Sequence, residues 1–485
     1  MARFAKQSQL MLRIDSTGGV LPRRVASALV EAMAEGRLAD GDAMPSTRVL
    51  AASLGLSRSV VVTAYEELIA SGFLCAKPGA STIVEVGAGR AARAGAFTLP
   101  SRNDPQVRSV SDRNARVRFN LLPGHPDPEL IRQGDWNRAW KSASRKVMNH
   151  ADMLAGSLGT TDAEYHLNRL KAELVGHIRR TRSVVAAVED ILIFPGITTA
   201  LTALAPILAD RGPVAFEDPG YVKARKALQY SGVQVRPVPV DSEGLRIDLL
   251  NAGARAVYVT PAHQFPLGAR MSVDRRTKLV EWATDHDALI LEDDYDGEFR
   301  YDVPPMPAVR AMNASSACVV YLGTISKSLH RSMRISWAVV PPQHREFLRQ
   351  HPLQGADSVN LVAAAALAEF ISTGGLARHI VSAHRTYAAR RQRFTKACSE
   401  LLPQLTQRGV DAGLHLVLQM DRTVDDTRVV RELHARGLAC TALSDSYLHS
   451  TTRPQSGLVC GYSALPESHA EDAVKLIREV CYRQG

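Results

Sequence analysis

The chain has 485 residues, 45% of them hydrophobic and 6% aromatic, enough for at least one large core and more than one domain. Its six cysteines are spread without CxxC pairs, so neither a disulfide framework nor a zinc site is indicated and a reducing cytoplasm is the expected compartment. A net charge of +10 suits a polyanionic partner, and no apolar run is long enough for a signal peptide or a membrane span.

Residues 1–87 read as one unit. "LPRRVASALVEAMAEGRL" spaces Val25, Leu29, Val30 and Met33 along one helical face, with Gly36 near its end. In "MPSTRVLAASLGLSRSVVVTAYEELIASGFL", Ser46 or Thr47 can cap a short helix that Gly55 stops, and Ser57 can cap a second that Gly72 stops. The second helix turns Val61, Ala64, Tyr65 and Leu68 to a core and shows Arg58 and Ser59 to solvent in its first turn. A helix that inserts its amino end into the major groove has this pattern. "CAKPGASTIVEV" predicts a hairpin wing turning at Pro78 and Gly79, with Lys77 placed for a backbone phosphate.

With "PSTR", "LA..LG.SR" and "AY..L...G" in place, this stretch is similar to the winged helix-turn-helix of GntR-type regulators. The resemblance implies that Arg48 and Arg58 contact DNA. The candidate DNA-binding set is Ser46, Thr47, Arg48, Ser57, Arg58, Ser59 and Lys77. Nine Lys and Arg against eight Asp and Glu in residues 1–87 mean that binding rests on where the basic groups lie. Residues 88–117 read as a flexible basic linker: up to Arg118 there are seven arginines against two aspartates, which suits a solvated tether or a phosphate-contacting arm.

From residue 118 on, "DILIFPG", "GPVAFEDPG", "ARAVYVTP", "ALILEDDYD" and "CVVYLGTISK" alternate with helical segments, which predicts an α/β domain with a mostly parallel sheet. Functional groups are expected at the carboxyl ends of its strands. In "FPGITTAL", Gly196, Thr198 and Thr199 open a helix whose free amides suit phosphate. Tyr221 in "EDPGY" offers a flat ring for stacking. Asp293, after "ALIL", is a buried carboxylate in need of a cationic partner such as a protonated pyridine nitrogen, and Tyr295 could bond a phenolic oxygen on the same ring. The cluster Glu292, Asp293, Asp294 and Asp296 could instead bind a divalent metal. In "TISKSLHRSMR", Thr324, Ser326 and Arg334 surround one point as a phosphate monoester requires, beside Lys327. Together these groups describe pyridoxal 5'-phosphate held by Lys327 as a Schiff base.

The lysine, with an arginine seven residues on and an aspartate some thirty before, resembles fold type I aminotransferases. "TPAHQFPLG", "LEDDYDGEFRYD" and "YLGTISKSL" look like the matching segments of the MocR/GabR regulators, which join a GntR-type domain to an aminotransferase-like domain. The resemblance implies a homodimeric transcription factor that binds promoter DNA and senses a small amine, an amino acid or the cofactor itself. It also places His263 and Gln264 beside the ring. The alternative is an active aminotransferase with an accessory DNA-binding domain.

Three departures stand out. Leu158 and Arg331 occupy positions where the family often has an aromatic and a proline, and His330 and Arg331 either add phosphate contacts or, the favoured reading, face solvent. The position aligned with an arginine in GABA-sensing relatives is Asp445, whose charge would repel an effector carboxylate. Lys223 and the nearby Arg453 are the cations left to bind one, so Lys223, Asp445 and Arg453 form the effector candidates.

Overall fold

The structure, a computed structural model, describes residues 12, 14, 20–76, 81–95, 117–149, 162–250, 253–301, 306–312, 317–355, 358–448 and 454–482. The chain divides into two compact units, 1–110 and 111–485.

In the first unit, α1 (Leu21–Ala34), α2 (Thr47–Leu54) and α3 (Arg58–Ala70) are followed by β1 (Leu74–Cys75), which pairs antiparallel with β2 (Ile83–Val84). Ser46 caps α2 by accepting from the Val49 amide at 3.3 Å, and Gly55, at φ 65°, ends it in a left-handed turn. Ser57 precedes α3 without capping it; its hydroxyl lies 3.0 Å from that of Ser59. Val25, Leu29, Met33, Val61, Ala64, Tyr65 and Leu68 are all buried, as the helical spacing predicts. Each of the large apolar side chains contributes about 1.5–3 kcal/mol by leaving water.

The linker reading needs correction at its start. Residues Ala88–Gly95 form α4, which packs against α1. Ala88 and Ala92, one helical turn apart, are buried, and Asp40 accepts from the amides of Gly87 at 2.6 Å and Gly89 at 3.3 Å. An alanine pair at i and i+4 is enough to seat a short helix, and the surrounding arginines and glycines masked it in the composition. Residues 96–116 and Lys77 lie outside the described residues.

The second unit opens with β3 (Phe119–Asn120), which pairs parallel with the strand Leu438–Ala439, and is built on an eight-stranded sheet of β4 (Ile191–Phe194), β5 (Val214–Asp218), β6 (Val235–Asp241), β7 (Gly244–Leu245), β8 (Ala256–Val259), β9 (Leu289–Asp294), β10 (Val319–Thr324) and β11 (Ser336–Val339), in the order β4-β11-β10-β9-β8-β5-β6-β7. The pairs β10/β9, β9/β8, β8/β5 and β5/β6 are parallel; β11 and β7 pair antiparallel with their neighbours. Successive residues point to opposite faces. Leu192, Phe194, Leu291, Val320 and Leu322 join one core with the helix Ile197–Ala209, whereas Ile191, Ile193, Tyr321, Trp337 and Val339 join another with the helix Leu361–Ser372. Gly323 has no side chain because a Cβ there would run into the Trp337 indole. A smaller antiparallel sheet, strands Thr406–Arg408, His415–Gln419, Gly457–Gly461 and Thr441–Ala442, has its own core with the helices Gly375–Leu401 and Ala470–Tyr482.

Candidate functional site

In the first unit, Ser46, Arg48, Ser57, Arg58 and Ser59 are exposed and Thr47 is half-buried. The Arg58 Nε lies 3.4 Å from the Thr47 hydroxyl, which ties the starts of α2 and α3 together. Tyr65 fixes the same corner from beneath by donating to the Pro45 carbonyl at 2.8 Å. Six of the seven candidate DNA-binding residues therefore share one corner of the unit.

In the second unit the strand ends converge on a cavity of about 530 Å³. Thr198, Tyr221, Lys223, Asp293, Tyr295, Thr324, Ser326, Lys327, Arg334 and Asp445, all named from the sequence, line it. β9 delivers Asp293, the turn after β10 delivers Ser326 and Lys327, and the turn after β4 delivers Gly196 and Thr198 at the start of the helix Ile197–Ala209. Arg334, at φ 50°, lies against Gly196, where a Cβ would sit 3.7 Å from its Nη2. Thr324 turns inward: its oxygen accepts from the Ser336 hydroxyl at 2.9 Å and from the Ser326 amide at 3.2 Å.

Asp293 is bonded by the Tyr258 hydroxyl through Oδ2, while its Oδ1 is buried without a partner. Burial pushes its carboxyl up to about 7, with further upward push from Asp294. A protonated ring nitrogen would supply the missing donor and favour the charged form, so this orphaned oxygen fits the pyridine end of the cofactor. Lys327 donates to the Gly124 carbonyl at 2.9 Å. Its amine is pushed down to about 8, first by burial and then by the neighbouring Arg331. Gly124, at φ 66°, is required on both counts: its backbone is left-handed, and a Cβ would collide with the Lys327 amine.

The carboxylates near Asp293 are each committed elsewhere. Glu292 accepts from the amides of Val309 and Arg310 at 2.8 Å each and faces Arg276; Asp294 is bonded by Arg182 and, at 2.7 Å, by Tyr321. Asp296 lies 3.0 Å from His263 Nδ1. Alternation puts Asp293 on one face of β9 and Glu292 and Asp294 on the other, and Asp296 lies past the strand end; with each carboxylate on its own partners, the four do not converge as one divalent-metal site. His263, Asp296 and His415 do bring one ligand atom each within 4.8 Å of one another, all buried.

Several expectations change. His263 does not border the cavity: it lies behind Tyr295, whose hydroxyl donates to its carbonyl at 2.9 Å, because the His263 ring is drawn toward Asp296. Gln264 is also turned away, donating to the carbonyls of Pro219 at 2.8 Å and Phe265 at 2.7 Å. Phe265 takes the bordering place, edge-on to Tyr221 at 5.6 Å. Arg331 is exposed, as expected, and also lines the cavity, whereas His330 is half-buried. Leu158 and Arg453 lie outside the described residues.

Sequence reasoning missed Gly124, His125, Tyr258 and His415. "LLPGHPDP" offered only a Gly–His turn as a signal, and Tyr258 was one apolar-strand residue among others. The loop carrying Asp445 is clipped over the cavity: the Gly220 amide at 3.0 Å and the Arg225 guanidinium at 3.4 Å donate to the Ser446 carbonyl, and the Leu448 amide donates to Asp218 at 2.7 Å.

Residues 21–84 match the family of bacterial regulatory proteins, gntR family, and residues 133–477 match aminotransferase class I and II. The chain is 32% identical to the probable rhizopine catabolism regulatory protein MocR of Rhizobium meliloti, over 96% of this chain and 95% of that one. It is 31% identical to the pyridoxine biosynthesis transcriptional regulator PdxR of Corynebacterium glutamicum, over 94% of each. Its fold matches an archaeal alanine:glyoxylate aminotransferase with a TM-score of 0.69 at 22% identity, covering 77% of this chain and 93% of that one. The chain therefore belongs to the MocR-type transcriptional regulators, in which a GntR-family DNA-binding domain is joined to a class I and II aminotransferase domain with pyridoxal 5'-phosphate as its cofactor.

Proposed function

We propose that the chain is a homodimeric cytoplasmic regulator that binds promoter DNA through its first unit, 1–110, and reads a small amine, an amino acid or pyridoxal phosphate itself through its second, 111–485. The observation that carries this reading is the cavity, where an orphaned buried carboxylate oxygen, a poised lysine and an arginine at a helix start lie together. Asp293 would hold the ring nitrogen, Arg334 with Thr198 and Ser326 the phosphate, and Tyr221 the ring face. Bound there, pyridoxal phosphate supplies an aldehyde that condenses reversibly with primary amines. The relatives named for rhizopine catabolism and for pyridoxine biosynthesis support an amine effector and a cofactor effector respectively.

Lys327 would hold the aldehyde, and the Gly124 carbonyl, accepting from its amine at 2.9 Å, orients that amine in the cavity lining. Any change of state is bounded by how differently the two forms bind the effector. The test is operator binding by protein stripped of cofactor, then reloaded, then given candidate amines. A shift on reloading alone makes the cofactor the signal; a shift only on adding an amine makes the amine the signal. No shift in either case would count against the sensor, and release of an oxo acid from the amine would favour the aminotransferase reading.

Two further expectations follow from the same residues. An amine attacks a carbonyl only when unprotonated, so cofactor capture by stripped protein should accelerate with a midpoint near pH 8 rather than near 10.5, where an ordinary lysine titrates. Stopped-flow capture across pH measures this, and a midpoint at the ordinary value would mean that burial does not tune Lys327. On the DNA side, Arg58→Ala should relax base discrimination by roughly 1–3 kcal/mol. Arg48→Ala should instead weaken all sequences alike and flatten the salt dependence. Competition binding at several salt concentrations separates the two, and undiminished binding by both variants would remove α3 as the recognition helix.

A further inference from the structure

The cavity carries more positive charge than the cofactor uses. Lys223, Lys327, Arg331 and Arg334 line it, against Asp293 and Asp445. Among the described residues none of these four cations forms an ion pair, although Asp445 has interactions of its own. The cofactor accounts for Lys327, which meets its aldehyde, and for Arg334, which lies at the helix start suited to its phosphate. Lys223 and Arg331 are left over.

Arg331 is an exposed side chain at the rim of the cavity that meets one neighbour there. Its Nη1 lies against the His125 ring, 3.4 Å from Nδ1, and the His125 carbonyl accepts from the Ser463 hydroxyl at 2.7 Å. The residue before it, Gly124, accepts from Lys327. One two-residue turn thus positions both the amine that meets the aldehyde and a guanidinium. His125 is driven down to about 4, by burial first and then by Arg331. It is therefore neutral at physiological pH, and it orients the guanidinium without cancelling its charge. A guanidinium presents a planar fork of N–H donors that matches a carboxylate or a similar anion in two-point contact.

We propose that Arg331, steadied by His125 as a positioning residue, binds the anionic group of the effector, which is a primary amine that also carries a carboxylate. The subsite rests on the sensing role proposed above and deepens it. It restores a charge partner for the effector carboxylate although Asp445 also lines the cavity. It also gives this chain a specificity contact at a position where a proline could make none.

The test compares 5-aminopentanoate with pentylamine, which has the same chain length and amine but no carboxylate. Binding to cofactor-loaded protein is read as the shift in Tm with concentration and, independently, as the change in operator affinity. The wild type should prefer 5-aminopentanoate by about tenfold or more. Arg331→Ala should erase that preference and leave pentylamine binding as it was, while Arg331→Lys should keep part of it through charge alone.

A preference that survives Arg331→Ala overturns the proposal. So does a failure of either probe to shift the wild type. If Arg331→Ala instead loses its hold on the cofactor, Arg331 serves the cofactor phosphate and the proposal is again overturned. Borohydride reduction and mass spectrometry of the wild type test the underlying reading separately. If no pyridoxyl group stays on Lys327 but the anion preference still disappears in Arg331→Ala, the cofactor reading fails and the subsite stands.

Discussion

Lys327→Ala is expected to abolish covalent capture of pyridoxal phosphate while leaving non-specific DNA binding intact. No other lysine amine among the described residues shares the position of Lys327, bonded to the Gly124 carbonyl at 2.9 Å beside the orphaned oxygen of Asp293. Lys223, the other lysine of the lining, lies at the start of the helix Val222–Tyr230 and not after β10. Borohydride reduction of loaded protein followed by peptide mass spectrometry should place the pyridoxyl group on Lys327 in the wild type and nowhere in the variant. The side chain is half-buried and lines the cavity, so the variant leaves a small wet space and the fold should tolerate it. A pyridoxyl group retained elsewhere in the cavity by the variant would move the reactive amine to another residue. Operator affinity in the same variant then separates loss of the covalent link from loss of cofactor binding, because the Asp293 and Arg334 contacts do not depend on the lysine.

The residues on which this prediction depends were legible because they are local. A run of apolar residues ending in "EDDY" marks a strand end, and a hydroxyl, lysine and arginine within eleven residues mark one turn; the fold only had to bring strand ends together, as parallel sheets do. The α2–α3 corner was legible for the same reason, since caps and glycine stops lie within the segment that they shape. What the sequence concealed lies in contacts between distant segments. His125 and Arg331 meet across 206 positions, and Arg182 reaches Asp294 across 112. Period-2 alternation implies that Asp293 and Asp294 face opposite ways, but it does not say that Tyr258 waits on one side and Arg182 on the other. Likewise, His263 stood in the right motif, yet its ring orientation was set by Asp296, a partner 33 residues away whose role no local pattern announces.

The largest stability effect is expected from that hidden pair. Arg182 and Asp294 are 3% and 2% exposed in their side chains. Arg182 ends the helix Asp162–Arg182 and also reaches the carbonyls of Gly297 at 3.5 Å and Met306 at 3.4 Å, and Tyr321 donates to the same carboxylate at 2.7 Å. Removing one member of a buried pair leaves an uncompensated charge in a medium that solvates it poorly, so Arg182→Ala should cost about 3–5 kcal/mol. Asp294→Asn keeps the shape and a carbonyl acceptor while losing the charge, and it should cost less. Replacing both together, Arg182→Ala with Asp294→Asn, should cost less than the sum of the single changes, because no buried charge is then left alone. Denaturant unfolding of the three variants measures the cycle. If Arg182→Ala lost less than about 1 kcal/mol, water would have to reach the strand end, as at an exposed pair. Asp294 follows Asp293 directly, so a pair that anchors this strand end also fixes the carboxylate held for the ring nitrogen. Cofactor affinity should therefore fall with stability in Arg182→Ala but recover in the double variant.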